Sequence, residues 1–247
     1  MSRIVSSGKC RLCGRLFGKA QMTKHLQACV RSHAEAAPAK KGKPVCAFHL
    51  VVTATYDPRY WLHMEVPANV TFRLLDGVLR NIWLECCYHL SAFTFPREPS
   101  PKVSSDYEFK QILAGAARLE WEDDIEEQER LMRARVGSKF EPGIKFKYEY
   151  DFGSTTHLSL RVVDEWPASS SKAKIRLLAR NEPPDIRCAL CDKPATTVCA
   201  ECYATNRDST FCDACAAAHP CGDDMLMPVV NSPRMGVCGY CGPSVEP

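Results

Sequence analysis

The stretch IKFKYEYDFGSTTHLSLRVV, residues 144–163, decides the fold predicted for this chain. Between residues 144 and 152, apolar or aromatic side chains alternate with charged ones, which is the period of a β-strand with one buried face. The glycine-containing segment 153–156 supplies a turn, so residues 157–163 are predicted to return as the second arm of a hairpin. The side chains predicted to face the core are Ile144, Phe146, Tyr148, Tyr150 and Phe152.

The sequence before this hairpin predicts further strands and a helix. Residues 45–55 (VCAFHLVVTAT), 61–66 (WLHMEV) and 89–95 (HLSAFTF) are rich in β-branched and aromatic residues and predict strands. Thr71 can cap a helix that continues to about residue 84, because apolar residues recur there at helical spacing.

A second helix is predicted over residues 107–136, where seven acidic residues among positions 120–129 are interpreted as a solvated helix face. Short strands in hairpins, with the helices grouped apart, are typical of an α+β fold. We therefore expect a central antiparallel or mixed sheet with packed helices, flanked by two small zinc-binding modules. The predicted parts are a zinc finger at 1–32, a flexible linker at 33–44 that isolates it, an α+β domain at 45–180 and a cross-braced zinc domain at 185–247.

Cysteine is the unusual feature of the composition, with 15 among 247 residues. Most occur in C-x-x-C pairs, a spacing at which two sulfurs can bind one metal ion. The first ten residues lack the apolar core of a secretory signal, and no apolar run reaches the ~18–20 residues of a membrane helix. We therefore expect a cytoplasmic protein with reduced thiols. The unpaired Cys46, Cys86 and Cys87 lie in apolar stretches and are interpreted as buried core residues.

The N-terminal ligand pattern is Cys10-x2-Cys13-x11-His25-x3-Cys29. It resembles a C2HC zinc finger of the ββα type, in which the metal substitutes for a core too small to fold alone. Cations in this finger could contact phosphates, and a glutamine lies near the predicted helix start, where such fingers meet bases. The residues predicted to bind nucleic acid are Arg11, Arg15, Lys19, Gln21 and Lys24. A finger that binds protein, or has only a structural role, is the alternative.

The C-terminal region carries nine cysteines and one histidine at spacings that suit a cross-braced module with two zinc ions. It resembles a B-box or MYND finger in spacing only. The first site is predicted from Cys188, Cys191, Cys212 and Cys215. The second takes Cys199, Cys202, His219 and one of Cys221, Cys238 and Cys241, and a third, incomplete site is the alternative. Closed donor sets indicate structural metal, and we expect about three zinc ions per chain.

Charge is distributed unevenly along the chain. Residues 1–44 hold ten Lys or Arg and one Glu, a net charge of +9, whereas residues 182–247 hold four Lys or Arg and nine acids, a net charge of −5. A basic end suits DNA, RNA or another polyanion, and an acidic end suits a protein partner.

Two strings resemble the plasmid pRiA4b ORF-3-like family. The first set comprises Trp61 to Pro67, the helix at 71–84 and the hairpin residues Tyr150 to Gly153. The second is VVNSPRMGVCGY at 229–240, which resembles a sequence found in a zinc-bearing subgroup of the family. The resemblance covers about residues 45–241 and implies an α+β fold, with a link by name to mobile elements for some members. Ser154 stands where many members have Asp, and Thr155 and Thr156 stand where they have Trp, before His157. A site built on the family's Asp, Trp and His trio is therefore not expected here.

No nucleotide-binding loop, GxSxG motif or kinase motif is present in the sequence. The sequence therefore predicts a non-enzymatic zinc-binding adaptor, associated with nucleic acid through its basic finger. A protein–protein adaptor without nucleic-acid binding is the first alternative. An enzyme with Asp151, Ser154, Thr155, Thr156 and His157 at its hairpin turn is the second.

Overall fold

The computed structural model describes residues 6–36, 45–96, 117–167 and 174–243. Within these residues, eight strands form one antiparallel sheet in the order β2-β1-β8-β4-β3-β7-β6-β5, and a second sheet has the order β10-β9-β11. The predicted α+β class with an antiparallel sheet is confirmed. The strands are β1 Ser7–Cys10, β2 Leu16–Gly18, β3 Cys46–Ala54, β4 Trp61–Pro67, β5 Ser91–Thr94, β6 Lys145–Tyr150, β7 Thr156–Pro167, β8 Arg176–Asn181, β9 Thr197–Cys199, β10 Thr210–Phe211 and β11 Leu226–Pro228. The α-helices are α1 Lys19–Ala36, α2 Phe72–Leu79, α3 Ala117–Arg133, α4 Ala200–Ala204 and α5 Asp213–Ala216.

The deciding hairpin forms as β6 and β7, which pair from Lys145 opposite Arg161 to Tyr150 opposite Thr156. Phe146, Tyr148 and Tyr150 are buried, as the alternation predicts. The prediction for Phe152 is wrong, because its side chain is 56% exposed. Asp151 takes a left-handed φ of +64°, which ends the strand geometry before Phe152 and breaks the period of two.

The core of the main sheet is closed by α2 and the π-helical turn Arg80–Leu84 that follows it. Thr71 caps α2 as predicted, and its hydroxyl accepts a hydrogen bond from the Leu74 N–H at 3.3 Å. Trp83 is fully buried in this turn. Each large apolar side chain buried here contributes about 1.5–3 kcal/mol relative to exposure, so the central domain has a core of its own.

The N-terminal finger is a continuation of the main sheet. Its strand β1 pairs with β2 on one side and with β8 on the other, with Gly8 opposite Asn181. The expectation that a linker isolates the finger is therefore wrong. The physical reason is a shared apolar core, in which Met22 and Leu26 of α1 pack with Trp61 and Leu178 of the central domain.

Helix α3 carries the acidic run, and its side chains are described from Ile125 onward. Glu129 forms an ion pair with Arg73 at 2.8 Å, and the Gln128 side chain exchanges two hydrogen bonds with the backbone of Phe93. This end of the helix therefore docks against α2 and β5. The predicted helical residues 107–116 lie outside the described residues.

The C-terminal module connects to the central domain through the string Asn231–Arg234. Ser232 donates a hydrogen bond to the Trp83 carbonyl at 2.6 Å. The Asn181 side-chain amide donates to Asn231 Oδ1, and the Asn231 side-chain amide donates to the Asn181 backbone carbonyl. Arg234 is fully buried and reaches the deciding hairpin, where it pairs with Asp151 at 2.6 Å. The two strings that carry the family resemblance are thus in contact.

Candidate metal centres and a basic cleft

Four groups of Cys and His side chains converge within the described parts of the chain. In each group, the four possible ligand atoms lie within 4.8 Å of one another. The groups are the finger cluster (Cys10, Cys13, His25, Cys29), the first tail cluster (Cys188, Cys191, Cys212, Cys215), the second tail cluster (Cys199, Cys202, His219, Cys221) and the junction cluster (Cys86, Cys87, His89, Cys238). Such groups could hold metal ions.

The spacing of the atoms fits a tetrahedral ion. Bonds of about 2.3 Å from zinc to sulfur and about 2.0–2.1 Å to nitrogen place two sulfurs about 3.8 Å apart and a sulfur and a nitrogen about 3.5 Å apart. The sulfur pairs Cys10–Cys29, Cys191–Cys215 and Cys202–Cys221 are 4.0, 3.8 and 3.8 Å apart. These distances are far longer than the ~2.05 Å of a disulfide, so the geometry suits separate ligands around a common ion.

The finger cluster forms at the end of β1 and on the first turns of α1. Gly14 takes a left-handed φ of +74° directly after Cys13, and its N–H donates to the Cys10 carbonyl at 2.8 Å. This tight turn brings both cysteines to one side. The Phe17 ring stacks on His25 at 3.9 Å and orients the imidazole, whose Nε2 lies 3.3 Å from Cys13 Sγ.

The two tail clusters are interleaved. The first and third C-x-x-C pairs form one cluster, and the second pair joins His219 and Cys221 in the other. Cys199 and Cys212 stand at the N-terminal ends of α4 and α5, and β9 joins the two halves by pairing with β10 and β11. Of the three alternatives left open for the second tail cluster, the structure brings Cys221 to it.

Hydrogen bonds to sulfur prepare the first tail cluster for a cation. Burial opposes ionisation of Cys188, but backbone N–H groups of Cys212, Leu190 and Cys191 lower its pKa to about 6. Hydrogen bonding to Cys212, with Cys188 and Cys191 also close by, raises the pKa of Cys215 to about 12. The sulfurs therefore compete for negative charge, and a divalent ion at their centre would stabilise all four thiolates.

The structure corrects the expectations for Cys46, Cys86, Cys87 and Cys238. Cys86 and Cys87 are not buried core residues, since Cys86 is half-buried, Cys87 is exposed and both belong to a ligand group. Cys238 joins them rather than the tail clusters, because the 229–243 segment folds back onto the central domain. Cys46 is also exposed, at the first residue of β3, and its sulfur lies 3.8 Å from a Glu165 oxygen. Cys241 is exposed, and its sulfur lies 3.4 Å from the Gly239 carbonyl oxygen.

A large basic cleft lies between α1 and the polar face of the main sheet. Its volume is about 1650 Å³. Among the described residues that line it, none is Asp or Glu, and five are cationic: Lys19, Lys24, Lys145, Lys147 and Arg161. We call these five residues and the space they surround the basic cleft. Of the residues predicted to contact nucleic acid, Lys19, Gln21 and Lys24 line it.

The other two predicted contacts lie elsewhere. The Arg15 guanidinium stacks over the Phe17 ring at 5.2 Å, and the backbone N–H of Arg11 donates to the Leu178 carbonyl. Sequence reasoning missed Lys145, Lys147 and Arg161 as members of a common surface. They could have been found from the alternation in the hairpin, because charged residues that alternate with buried ones share the face of the sheet opposite the core.

Asp151 and His157, the hairpin residues considered for acid–base catalysis, have separate partners. Asp151 is buried against Arg234, and although burial opposes ionisation, this guanidinium and the N–H groups of Ser154 and Gly153 lower the pKa of Asp151. His157 lies 3.0 Å from Glu149 instead. The Thr156 hydroxyl accepts a hydrogen bond from Arg234.

Comparisons with known proteins leave this chain without an assigned family. No protein-family model matches the sequence, and no curated protein is significantly similar. A solved structure of a protein of unknown function, MM3350 from Methanosarcina mazei Go1, matches over 55% of this chain and 67% of its own chain, with 18% identity and a TM-score of 0.35. A similarity of this size carries no argument about function. None of the helices in the described segments is both long and apolar enough to cross a bilayer.

Proposed function

We propose that this protein is a non-enzymatic zinc-binding adaptor that holds the phosphate backbone of nucleic acid in its basic cleft. Zinc is the metal because closed sets of thiolate and imidazole donors at tetrahedral spacing are its usual structural ligands. The observation that carries the nucleic-acid proposal is the cleft itself, with five cations and no acid among its described lining residues.

The cations lie where they repel one another. Lys145 stands directly opposite Arg161 across β6 and β7, and like charges at such a position destabilise a sheet. Within the described residues, no carboxylate oxygen lies within 4 Å of the charged nitrogens of Lys24, Lys145, Lys147 or Arg161. Burial also lowers the pKa of Lys19. A bound polyanion would offset these costs.

The side chains that line the cleft suit a sugar-phosphate backbone better than a base edge. Its floor combines cations with the hydroxyl groups of Thr53 and Ser159, which stand opposite each other on β3 and β7. Its wall is α1, where Gln21 and Gln27 supply amide groups. Phosphate contacts position nucleic acid without reading sequence. We therefore propose binding that depends strongly on salt and weakly on sequence.

The non-catalytic part of the proposal is supported by the hairpin. Asp151 and His157, the best candidates for acid–base chemistry, contact different partners, Arg234 and Glu149. The closed four-ligand metal groups supply no open coordination position of the kind that catalytic zinc requires.

The test is fluorescence anisotropy with labelled single- and double-stranded DNA and RNA of 20 nucleotides, at salt concentrations from 50 to 300 mM. The triple variant Lys145→Gln, Lys147→Gln, Arg161→Gln removes the floor of the cleft. The matched control, Arg130→Gln, Lys139→Gln, Lys193→Gln, removes three exposed cations elsewhere.

We expect the cleft variant to bind at least tenfold more weakly at 100 mM salt. The slope of log affinity against log salt should become less steep by about 2 to 3, since each of the three lost phosphate contacts contributes about 0.7–0.9 to its magnitude. The control should change neither quantity by as much. If the wild-type protein binds none of the four probes at 50 mM salt, or if both triple variants lose affinity equally, the nucleic-acid proposal is wrong and the protein-adaptor alternative takes its place.

A further inference from the structure

We propose that the junction cluster is a fourth metal site, which fastens the C-terminal segment to the central domain. Its ligands would be the thiolates of Cys86, Cys87 and Cys238 and the imidazole of His89. The His89 Nε2 atom lies 3.2 Å from Cys238 Sγ, close to the ~3.5 Å expected between nitrogen and sulfur on one zinc ion.

The ligands come from two distant parts of the chain. Cys86, Cys87 and His89 follow the π-helical turn Arg80–Leu84, whereas Cys238 lies 149 residues after His89. Cys238 takes a left-handed φ of +50°, and the neighbouring Gly236 and Gly239 also have positive φ. A non-glycine residue in this conformation is uncommon and costs free energy. The bend turns Cys238 toward the three ligands of the central domain.

A second group of contacts orients the histidine. The other ring nitrogen of His89, Nδ1, lies 3.6 Å from one carboxylate oxygen of Asp151, and the second oxygen of Asp151 pairs with Arg234 at 2.6 Å. Histidines that bind metal commonly have their free nitrogen against a carboxylate, which fixes the ring and raises its basicity. The arrangement directs Nε2 to the sulfurs.

Arg234 connects this support to the ligands themselves. Its guanidinium is fully buried, and one nitrogen lies 3.4 Å from Cys86 Sγ as well as contacting Asp151. Arg234 therefore joins the carboxylate that supports His89 to the sulfur of Cys86. Arg234 and Cys238 belong to the same C-terminal segment, so docking of that segment supplies both a ligand and a positioning residue.

A disulfide explains less of this arrangement than a metal ion does. It would join two of the three sulfurs and leave the third thiol and the oriented imidazole without a role. All four donors converge within 4.8 Å, which is the property this cluster shares with the finger and tail clusters. A four-ligand site is closed, so its role is structural. The inference is independent of the basic cleft.

The experiment counts metal in the full-length protein by inductively coupled plasma mass spectrometry. The wild-type protein is expected to hold four zinc ions per chain, and Cys238→Ser and Cys87→Ser three. The matched control is Cys241→Ser, which removes an exposed cysteine three residues further along and should keep four. Cys238→His supplies a different metal donor at the same place and should restore the fourth ion, which separates ligand loss from misfolding.

A second measurement reports the fastening. Limited proteolysis should cut the 229–243 segment at least tenfold faster in Cys238→Ser than in Cys241→Ser. A wild-type count of three that Cys238→Ser leaves unchanged would overturn the inference. So would a disulfide among Cys86, Cys87 and Cys238 in freshly purified protein, detected as a mass difference of two hydrogens on reduction.

Discussion

The finger and the tail module use the same ligand chemistry but are attached to the central domain in different ways. The finger adds strands to the main sheet and shares its apolar core, with Met22 and Leu26 packed beside Trp61. The tail module has its own small sheet, and four of the six buried residues of its core are cysteines. One lobe is therefore held by backbone pairing and hydrophobic burial, and the other by its clusters and by a few side-chain contacts. Metal dependence should differ accordingly.

The largest effect should be the difference in how far the tail module and the finger unfold when each loses one metal ligand. Cys199→Ala is expected to unfold the tail module, because its core consists mainly of ligands and structural zinc contributes about 10–16 kcal/mol to folding in zinc-finger peptides. Cys13→Ala should release one metal ion yet leave α1 docked on Trp61. Limited proteolysis with mass spectrometry measures both, and Cys46→Ala, an exposed cysteine outside the clusters, is the control. Equal digestion of finger and tail in their respective variants would contradict the comparison.

The next effect concerns the contact that holds the tail module. Arg234→Met should lower the free energy of unfolding by about 3–5 kcal/mol, because it leaves Asp151 buried without its partner. The pair Arg187–Asp185 has the same 2.6 Å distance but is exposed. Arg187→Met should therefore change stability far less, because an exposed ion pair is screened by solvent. Urea unfolding measures the free energy of unfolding of both variants. Similar decreases in the two would show that burial does not determine how much an ion pair stabilises the protein.

A smaller effect tests the attachment of the finger without touching a metal ligand. A Cβ atom at Gly8 would overlap the Arg180 carbonyl oxygen and the Trp61 ring, so Gly8→Ala should force β1 away from β8. Such overpacking costs about 1–3 kcal/mol. Gly18→Ala, in the same finger, meets only the Gln21 side chain at 4.0 Å and serves as the control. Hydrogen exchange of the β8 amides should rise in the first variant alone, and unchanged exchange would mean that the pairing is not needed for docking.

The smallest effect is the pH dependence of stability that arises from two buried histidines beneath the finger. His49 and His63 are fully buried and in contact at 2.7 Å, and burial lowers the pKa of His49 to about 4. Well above pH 6.5 His49 is neutral in both the folded and the unfolded state, and as pH falls through about 6.5 the unfolded state takes up the proton first. Between pH 7 and 5.5 stability should fall by about 1 kcal/mol from His49.

Ring signals in NMR spectra check this independently of metal release, which also destabilises the protein in acid. The His49 and His63 signals should not titrate between pH 7 and 5.5. Titration of His49 near its ordinary pKa would show that the site beneath the finger is open to water.

The hairpin and the paired cysteines were predictable because their physical signals are local. Alternation over residues 144–150 depends only on the period of a strand, and a C-x-x-C pair places two sulfurs together whatever the rest of the chain does. Phe152 was predicted wrongly because its position depends on the left-handed Asp151, and that conformation is stabilised by Arg234 from the far end of the sequence. The basic cleft was half predictable, since the cations of α1 and of the hairpin each form a pattern, but nothing local brings them together.

By itself, the sequence determined the class of the fold, the main strands, the finger cluster and the interleaved order of the tail clusters, because these follow from short-range periods and spacings. Only the tertiary structure decided that the finger extends the main sheet, that the two cationic patterns face one cleft, and that Cys86, Cys87 and His89 meet Cys238. Each of these depends on contacts between residues far apart in the chain, which are set by how whole faces pack and leave no pattern in either segment alone.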